Sequence, residues 1–279
     1  MPIMSVARHD VAVEYARQQA EALSRSMPGF VDIVAENPDA LRSVWSRARS
    51  LLAHRSVLDP TASQPATWEA LRLAADAGEA IFVGATGSGT VDAPIGDRVV
   101  RFTAPGPNSH ANAGAWLNVV WLAVIDRDDQ RVARLCAVPE ATLRASGAVH
   151  SEFMYPWVES VRTYLLGEPV TPGMFMPAMD GTDPDRSTVA PRDAMLLLHY
   201  PPVRLFYYLF RGLTEKVNEG LADALTSHHK YWTMDADRAD DPEGFIAPTL
   251  LALAVLAGNA GMAVDVTSPY LPDNLLRGR

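Results

Sequence analysis

Apolar residues recur at helical spacing over most of this chain and give way to strict alternation in one place. Over residues 10–26, Val11, Tyr15, Ala16, Ala20 and Leu23 fall on one stripe with charged residues opposite, which predicts an amphipathic helix. Asn37-Pro38-Asp39 reads as the start of a second, with Asn37 as cap, Pro38 in the first turn and Asp39 complementing the helix dipole. Its inward face is Leu41, Val44, Trp45, Ala48, Leu51 and Leu52. After a turn-rich link over residues 59–65, Thr67 is expected to cap a third helix reaching Gly84, with Trp68, Leu71, Ala74, Ala75 and Ile81 or Phe82 inward.

The interruption lies at residues 84–107. Thr90-Val91-Asp92-Ala93, a turn at Pro94-Ile95-Gly96-Asp97, and Arg98-Val99-Val100-Arg101-Phe102-Thr103 predict a small β-hairpin. Helical spacing returns at 109–124, 130–137, 139–146 and 151–166, where Pro156 inside the pattern predicts a kink near Tyr155. A Pro- and Gly-rich stretch at 167–192 reads as a long loop, a length uncommon without a function. Helices are then expected at 191–199, 203–211, 214–229 and 247–260. The resulting expectation is an all-α fold of stacked antiparallel helical hairpins, a degenerate solenoid-like array, with one β-hairpin insertion near 85–107. It is read as a single domain over 1–279.

Composition narrows the function. With 279 residues and 48% hydrophobic content the chain can bury a large core. A net charge of -9 argues against a surface built to neutralise nucleic-acid phosphates, and suits a basic protein partner. The single cysteine, Cys136, sits in an apolar run and reads as a small buried hydrophobe, which excludes an intrachain disulfide. The first ten residues lack a signal-peptide core. The apolar run at 245–262 is broken by Pro248, Gly258, Asn259 and Gly261, so no membrane span and a cytoplasmic location are expected.

Catalytic motifs fail on spacing. Gly84, Gly87 and Gly89 do not make a dinucleotide fingerprint, no lysine follows as a phosphate loop needs, and Ser88 lacks the glycines of a nucleophile elbow. His150 and Glu152 form H-x-E without the cysteine pair that would complete a zinc site. His228 and His229 are adjacent and so point about 100 degrees apart on a helix. No metal and no cofactor is expected. Trp116 reads as core and Trp121 as lining a groove; Phe206, Tyr207, Tyr208 and Phe210 read as core.

One segment suits a protein interface. Tyr231 and Trp232 precede Asp235, Asp237, Asp240, Asp241 and Glu243, with Arg238 the one cation among them. Aromatic rings can anchor a partner while carboxylates steer it. Asp180, Asp183 and Asp185, in turn-forming sequence, join the candidate partner-binding set.

A series of short words runs through the chain in order: Asp59-Pro60, Thr67-Trp68-Glu69-Ala70, Gly114-Ala115-Trp116-Leu117, Leu143-Arg144-Ala145-Ser146-Gly147-Ala148, Gly181-Thr182-Asp183-Pro184-Asp185, Tyr200-Pro201-Pro202, Tyr231-Trp232-Thr233 and Tyr270-Leu271-Pro272. The series resembles the immunity protein 49 family of bacterial polymorphic-toxin systems. The resemblance implies a mostly helical protein that binds and neutralises a cognate toxin, and it implies no catalytic residue. Two other readings stay open. One is an enzyme or small-molecule binder of a biosynthetic pathway, with a pocket from His150, Glu152, Tyr155, His199, Tyr200 and His229; the other is a helical interaction scaffold.

Overall fold

A computed structural model describes residues 4–187 and 189–278. Residues 1–3 of the N-terminal stretch, Thr188 within the 167–192 segment and Arg279 lie outside the described residues. Helix makes up 63% of the chain, about twice its ordinary share, so the all-α class holds. The chain divides into two compact units: Ala12–Ala148, and Met1–Val11 together with Val149–Arg279. It opens in the latter with a two-residue strand, β1 (Met4–Ser5).

In the Ala12–Ala148 unit, α1 (Val13–Ile33), α2 (Ala40–Leu58) and α3 (Pro65–Thr86) pack in chain order, α1 on α2 and α2 on α3. Short links between long helices make neighbours antiparallel. Helix α1 runs on through Pro28, beyond the predicted end, and buries Ala16, Ala20, Met27 and Val31. The predicted stripe is therefore rotated: Tyr15 is 46% exposed and meets His54 edge-on. Burial of Met27 before the proline and Val31 after it offsets the backbone bond that Pro28 cannot donate.

The expected inward face of α2 is buried throughout. Asn37 does not cap it directly. Its Oδ1 accepts from the Asp39 amide at 3.2 Å, making the turn that precedes Ala40. Thr67 likewise lies inside α3, which starts at Pro65. Asp59 organises that link, accepting from the Ser63 and Gln64 amides and from the Thr67 hydroxyl at 2.7 Å. Gly78 on α3 allows close packing: a Cβ there would lie 2.4 Å from Val119 Cγ2 and 2.8 Å from Trp45 Nε1.

Strands β2 (Thr90–Ile95) and β3 (Arg98–Thr103) form the predicted hairpin, antiparallel from Thr90↔Thr103 to Ile95↔Arg98. Gly96 takes a φ of 65° in the two-residue turn, a conformation that glycine adopts without steric cost. Ala93, Ile95, Val100 and Phe102 face inward, and β2 packs on α3. Helices α4 (Ala113–Asp126), α5 (Asp129–Cys136) and α6 (Glu140–Arg144) complete the unit. Asn112 caps α4 by accepting from the Ala115 amide. Trp116 and Trp121 are both buried on α4, which corrects the expectation that Trp121 lines a groove. Five residues apart, they lie on different faces of a helix that is apolar nearly all round, so both faces are covered.

In the other unit, α7 (Met154–Leu165) packs on α8 (Pro172–Asp180). Pro156 introduces no break, because it sits in the first turn of α7, where an amide would have no helical acceptor. The 167–192 segment is not one long loop: Thr171 caps α8, whose Phe175 and Ala178 are buried. A short α9 (Arg192–Ala194) passes through a π-helical turn, Met195–His199, into α10 (Tyr200–Phe210). The Tyr200 amide bonds five residues back to Met195, just where Pro201 and Pro202 remove the next two amide donors.

Helix α11 (Thr214–Trp232) packs on α10, and α12 (Ala236–Ala239) follows. A 3₁₀ turn, Pro242–Gly244, leads into α13 (Pro248–Asn259). Residues 250–257 of α13 are all buried, as in a core helix, and twelve residues span only about 18 Å, short of a hydrocarbon core. Strand β4 (Val266–Thr267) pairs in parallel with β1, and α14 (Asp273–Arg277) ends the fold.

Candidate partner-binding site

The acidic segment after α11 is built by its own carboxylates. Asp235 accepts from the Arg238 amide at 2.9 Å and so caps α12. Asp241 accepts from the Glu243 amide at 2.9 Å and starts the 3₁₀ turn. Arg238 bonds to Asp193 at 2.7 Å, pairs with Asp235 at 3.2 Å and lies over the Tyr231 ring at 4.3 Å. Its hydrogen bond to Asp193 raises the Arg238 pKa and lowers that of Asp193. Two of the predicted steering charges thus hold the local fold. Asp237, Asp240 and Glu243 remain exposed.

Trp232 does not project outward. It is 8% exposed, and a Cβ at Gly244 would lie 2.7 Å from its ring. The small residue of the 3₁₀ turn gives the indole its room, so the expected anchor is a core residue. Beside the acids the outward apolar surface is half-exposed Tyr231 and Met234, the latter 51% exposed.

Under this segment lies a cluster that the sequence reading did not assemble: His9, His228, His229 and Tyr270. His228 Nε2 faces the Gly244 carbonyl at 3.0 Å and His9 Nε2 faces that of Ala239 at 3.2 Å. A carbonyl only accepts, so both rings carry their proton on Nε2. The Tyr270 hydroxyl then donates to His9 Nδ1 at 2.8 Å and accepts from the His9 amide at 3.2 Å. His229 Nδ1 donates to Ala7 at 3.2 Å and lies 3.3 Å from Tyr270 Oη. Burial is the main cause lowering the His228 pKa to about 4, and it lowers that of His9 in the same sense. The cluster ties the acidic segment to the N-terminal residues through the His9 ring and holds its end through that of His228. Its four members are spread from residue 9 to residue 270, with no spacing that connects them.

Asp180, Asp183 and Asp185 lie elsewhere in this unit. Asp183 accepts from the Asp185 amide at 3.0 Å, as turn chemistry predicts, and Asp185 is ion-paired with Arg192. A groove of about 330 Å³ runs beside them, lined by Asp180, Asp183, Arg186, Leu196 and Tyr200 among others. Of the six residues proposed for an alternative pocket, Tyr200 alone lines this groove. His199 packs edge-on against Phe153, where burial lowers its pKa; Tyr155 is buried; His150 is half-buried, its pKa lowered by burial, and Glu152 is exposed. His229 belongs to the Tyr270 cluster. Among the described residues no group of three or more His, Cys, Asp or Glu is arranged to hold a metal ion.

A larger cavity of about 520 Å³ occurs in the Ala12–Ala148 unit. Met27, Val31, Leu51, Leu73 and Ile95 line it, with Arg55, Glu69 and Arg72 on its polar side. Three helices and the hairpin turn supply these residues, which is why linear spacing does not reveal it.

The model of one family, Immunity protein 49, matches residues 59–275. No curated protein and no solved structure matches the chain. The match begins at Asp59, which organises the link into α3, and ends within α14, so it covers most of the fold just described. The chain belongs to the immunity protein 49 family.

Proposed function

We propose that this protein binds a cognate toxin of a bacterial polymorphic-toxin system in the cytoplasm and neutralises it by stoichiometric contact, without catalysis. Membership of an immunity protein family supports a protein partner. The observation that carries the reading further is the exposed row Asp237, Asp240 and Glu243, with Tyr231 and Met234 beside it. Charges left exposed in that way raise the encounter rate with a basic partner, while the apolar side chains slow its departure.

The test is rapid-mixing association with the toxin encoded beside this gene. Asp237→Asn with Asp240→Asn should slow association several-fold at low salt and leave dissociation nearly unchanged, because exposed rim charges act mainly on the on-rate. Met234→Ala should speed dissociation instead. An association rate insensitive to both salt and these substitutions would remove the segment from the interface.

A further inference from the structure

The two edges of the β2–β3 hairpin are unequal. Ile95 and Arg98 flank the two-residue turn, so that pair exchanges backbone bonds, and every second pair does likewise. The Ala104 amide bonding to the Gly89 carbonyl at 2.8 Å is the outermost rung of this series. The amides and carbonyls of Val99, Arg101 and Thr103 consequently point away from β2. On β2 the outward groups belong to Thr90, Asp92 and Pro94. Pro94 has no amide to donate, and β2 packs on α3, so that edge is closed in the way sheet edges usually are.

Strand β3 has neither protection. It is six residues long, regularly paired and free of proline. Val99, Arg101 and Thr103 are all exposed, Val99 to 71%. Their backbone groups offer three donors and three acceptors at strand spacing, a pattern complementary to another extended backbone.

The side chains say more about the occupant. Val99 stands opposite Pro94, which makes an apolar row across the exposed face, and Arg101 stands opposite Asp92. Arg101 uses Nε and Nη2 on the Asp92 carboxylate, at 2.8 and 2.9 Å. Its Nη1 is left to hold a second carboxylate on the neighbouring strand.

We propose that the toxin presents an extended segment that joins β3 as an added strand, with a β-branched apolar side chain beside Val99 and a carboxylate beside Arg101. This rests on the neutralisation reading above. It concerns docking after encounter, whereas the Asp237 and Asp240 row concerns steering.

Val99→Pro removes one outward amide and no bond within the hairpin, and the residue facing it is already a proline. It should weaken binding of a catalytically inactive form of the neighbouring toxin about ten-fold, whereas Val99→Ala, which keeps the amide, should cost about three-fold or less. Hydrogen exchange gives a readout independent of any variant: the outward amides of Val99, Arg101 and Thr103 should slow on addition of the toxin. Unchanged exchange there, in a complex that still neutralises, would overturn the added strand and leave the neutralisation reading intact. No complex with the unmodified chain would overturn both. Protection that grows with the concentration of this chain alone would assign the edge to a second copy and overturn the proposal.

Discussion

The two compact units bury polar groups by opposite means. In the Ala12–Ala148 unit Arg131 is buried as a charge: it reaches Glu79 at 2.9 Å and Asp128 at 3.6 Å and pairs with Asp76, and Arg134 joins Glu79 from the rim. In the other unit burial lowers the pKa of His9 and His228 and favours their neutral rings beside Tyr270, and each directs a ring proton at a backbone carbonyl. A network of opposite charges resists loss of any one member, because the others are left buried and uncompensated. A set of neutral rings fails differently, since acid alone can charge it. One chain thus carries a region that mild acid leaves in place and another that acid reaches first.

Substituting the centre of the charged network has the largest expected effect. Arg131→Met leaves Asp76 buried without its cation and Glu79 with Arg134 alone, and stability should fall by about 3 to 5 kcal/mol in denaturant titration. A loss below about 1 kcal/mol would mean that water already serves those carboxylates, and the contrast between the units would dissolve.

Acidification comes next. Burial holds His228 at about 4, against 6.5 ordinarily, so between those values the unfolded chain binds the proton and the folded one does not. The stability from this site is complete above about pH 6.5 and is lost as pH falls toward 4, amounting to about 3 kcal/mol at most. His9 is lowered mainly by burial too and acts in the same direction. Burial raises Asp76 and Asp126. Their folded forms take up protons before the unfolded chain does, so their contribution improves as pH falls through the carboxylate range. Limited proteolysis at pH 5 should therefore cut first within residues 228–245, ahead of α3 and α5. First cuts in α3 would reverse the comparison.

Smaller effects sharpen it. Tyr270→Phe removes the hydroxyl that serves both His9 Nδ1 and the His9 amide, for about 1 to 3 kcal/mol, and its cost should shrink as pH falls, because a protonated Nδ1 no longer accepts from the hydroxyl. Thermal melts at two pH values measure this. Asp235→Ala removes the cap of α12 and should cost about 1 kcal/mol, with no dependence on the histidines.

Much of the fold was legible because its helices are long and their buried faces regular. The inward rows of α2 and α3 and the position of the hairpin follow from periodicity alone. Prolines caused the main misreadings. Pro28 lies inside α1, Pro156 in the first turn of α7, and Pro172 opens α8 in what composition marks as a loop. In each case position within the helix decides the cost of a missing amide, and composition does not carry position. The candidate site was half legible. The acids of 235–243 are visible as a charge run, but which of them cap helices depends on local geometry. That Trp232 turns inward depends on Gly244, twelve residues away. The histidine cluster and the open edge of β3 depend on long-range placement and hydrogen-bond parity, which no short window contains.

Neutralisation by stoichiometric contact is the proposal on which the rest depends. Its most direct measurement is titration of the neighbouring toxin's activity with this protein. A linear fall to zero at one equivalent is expected, unaffected by Arg131→Met once folded protein is counted, and slowed in onset by Asp237→Asn with Asp240→Asn at low salt. Full toxin activity in the presence of several equivalents of folded protein would contradict it.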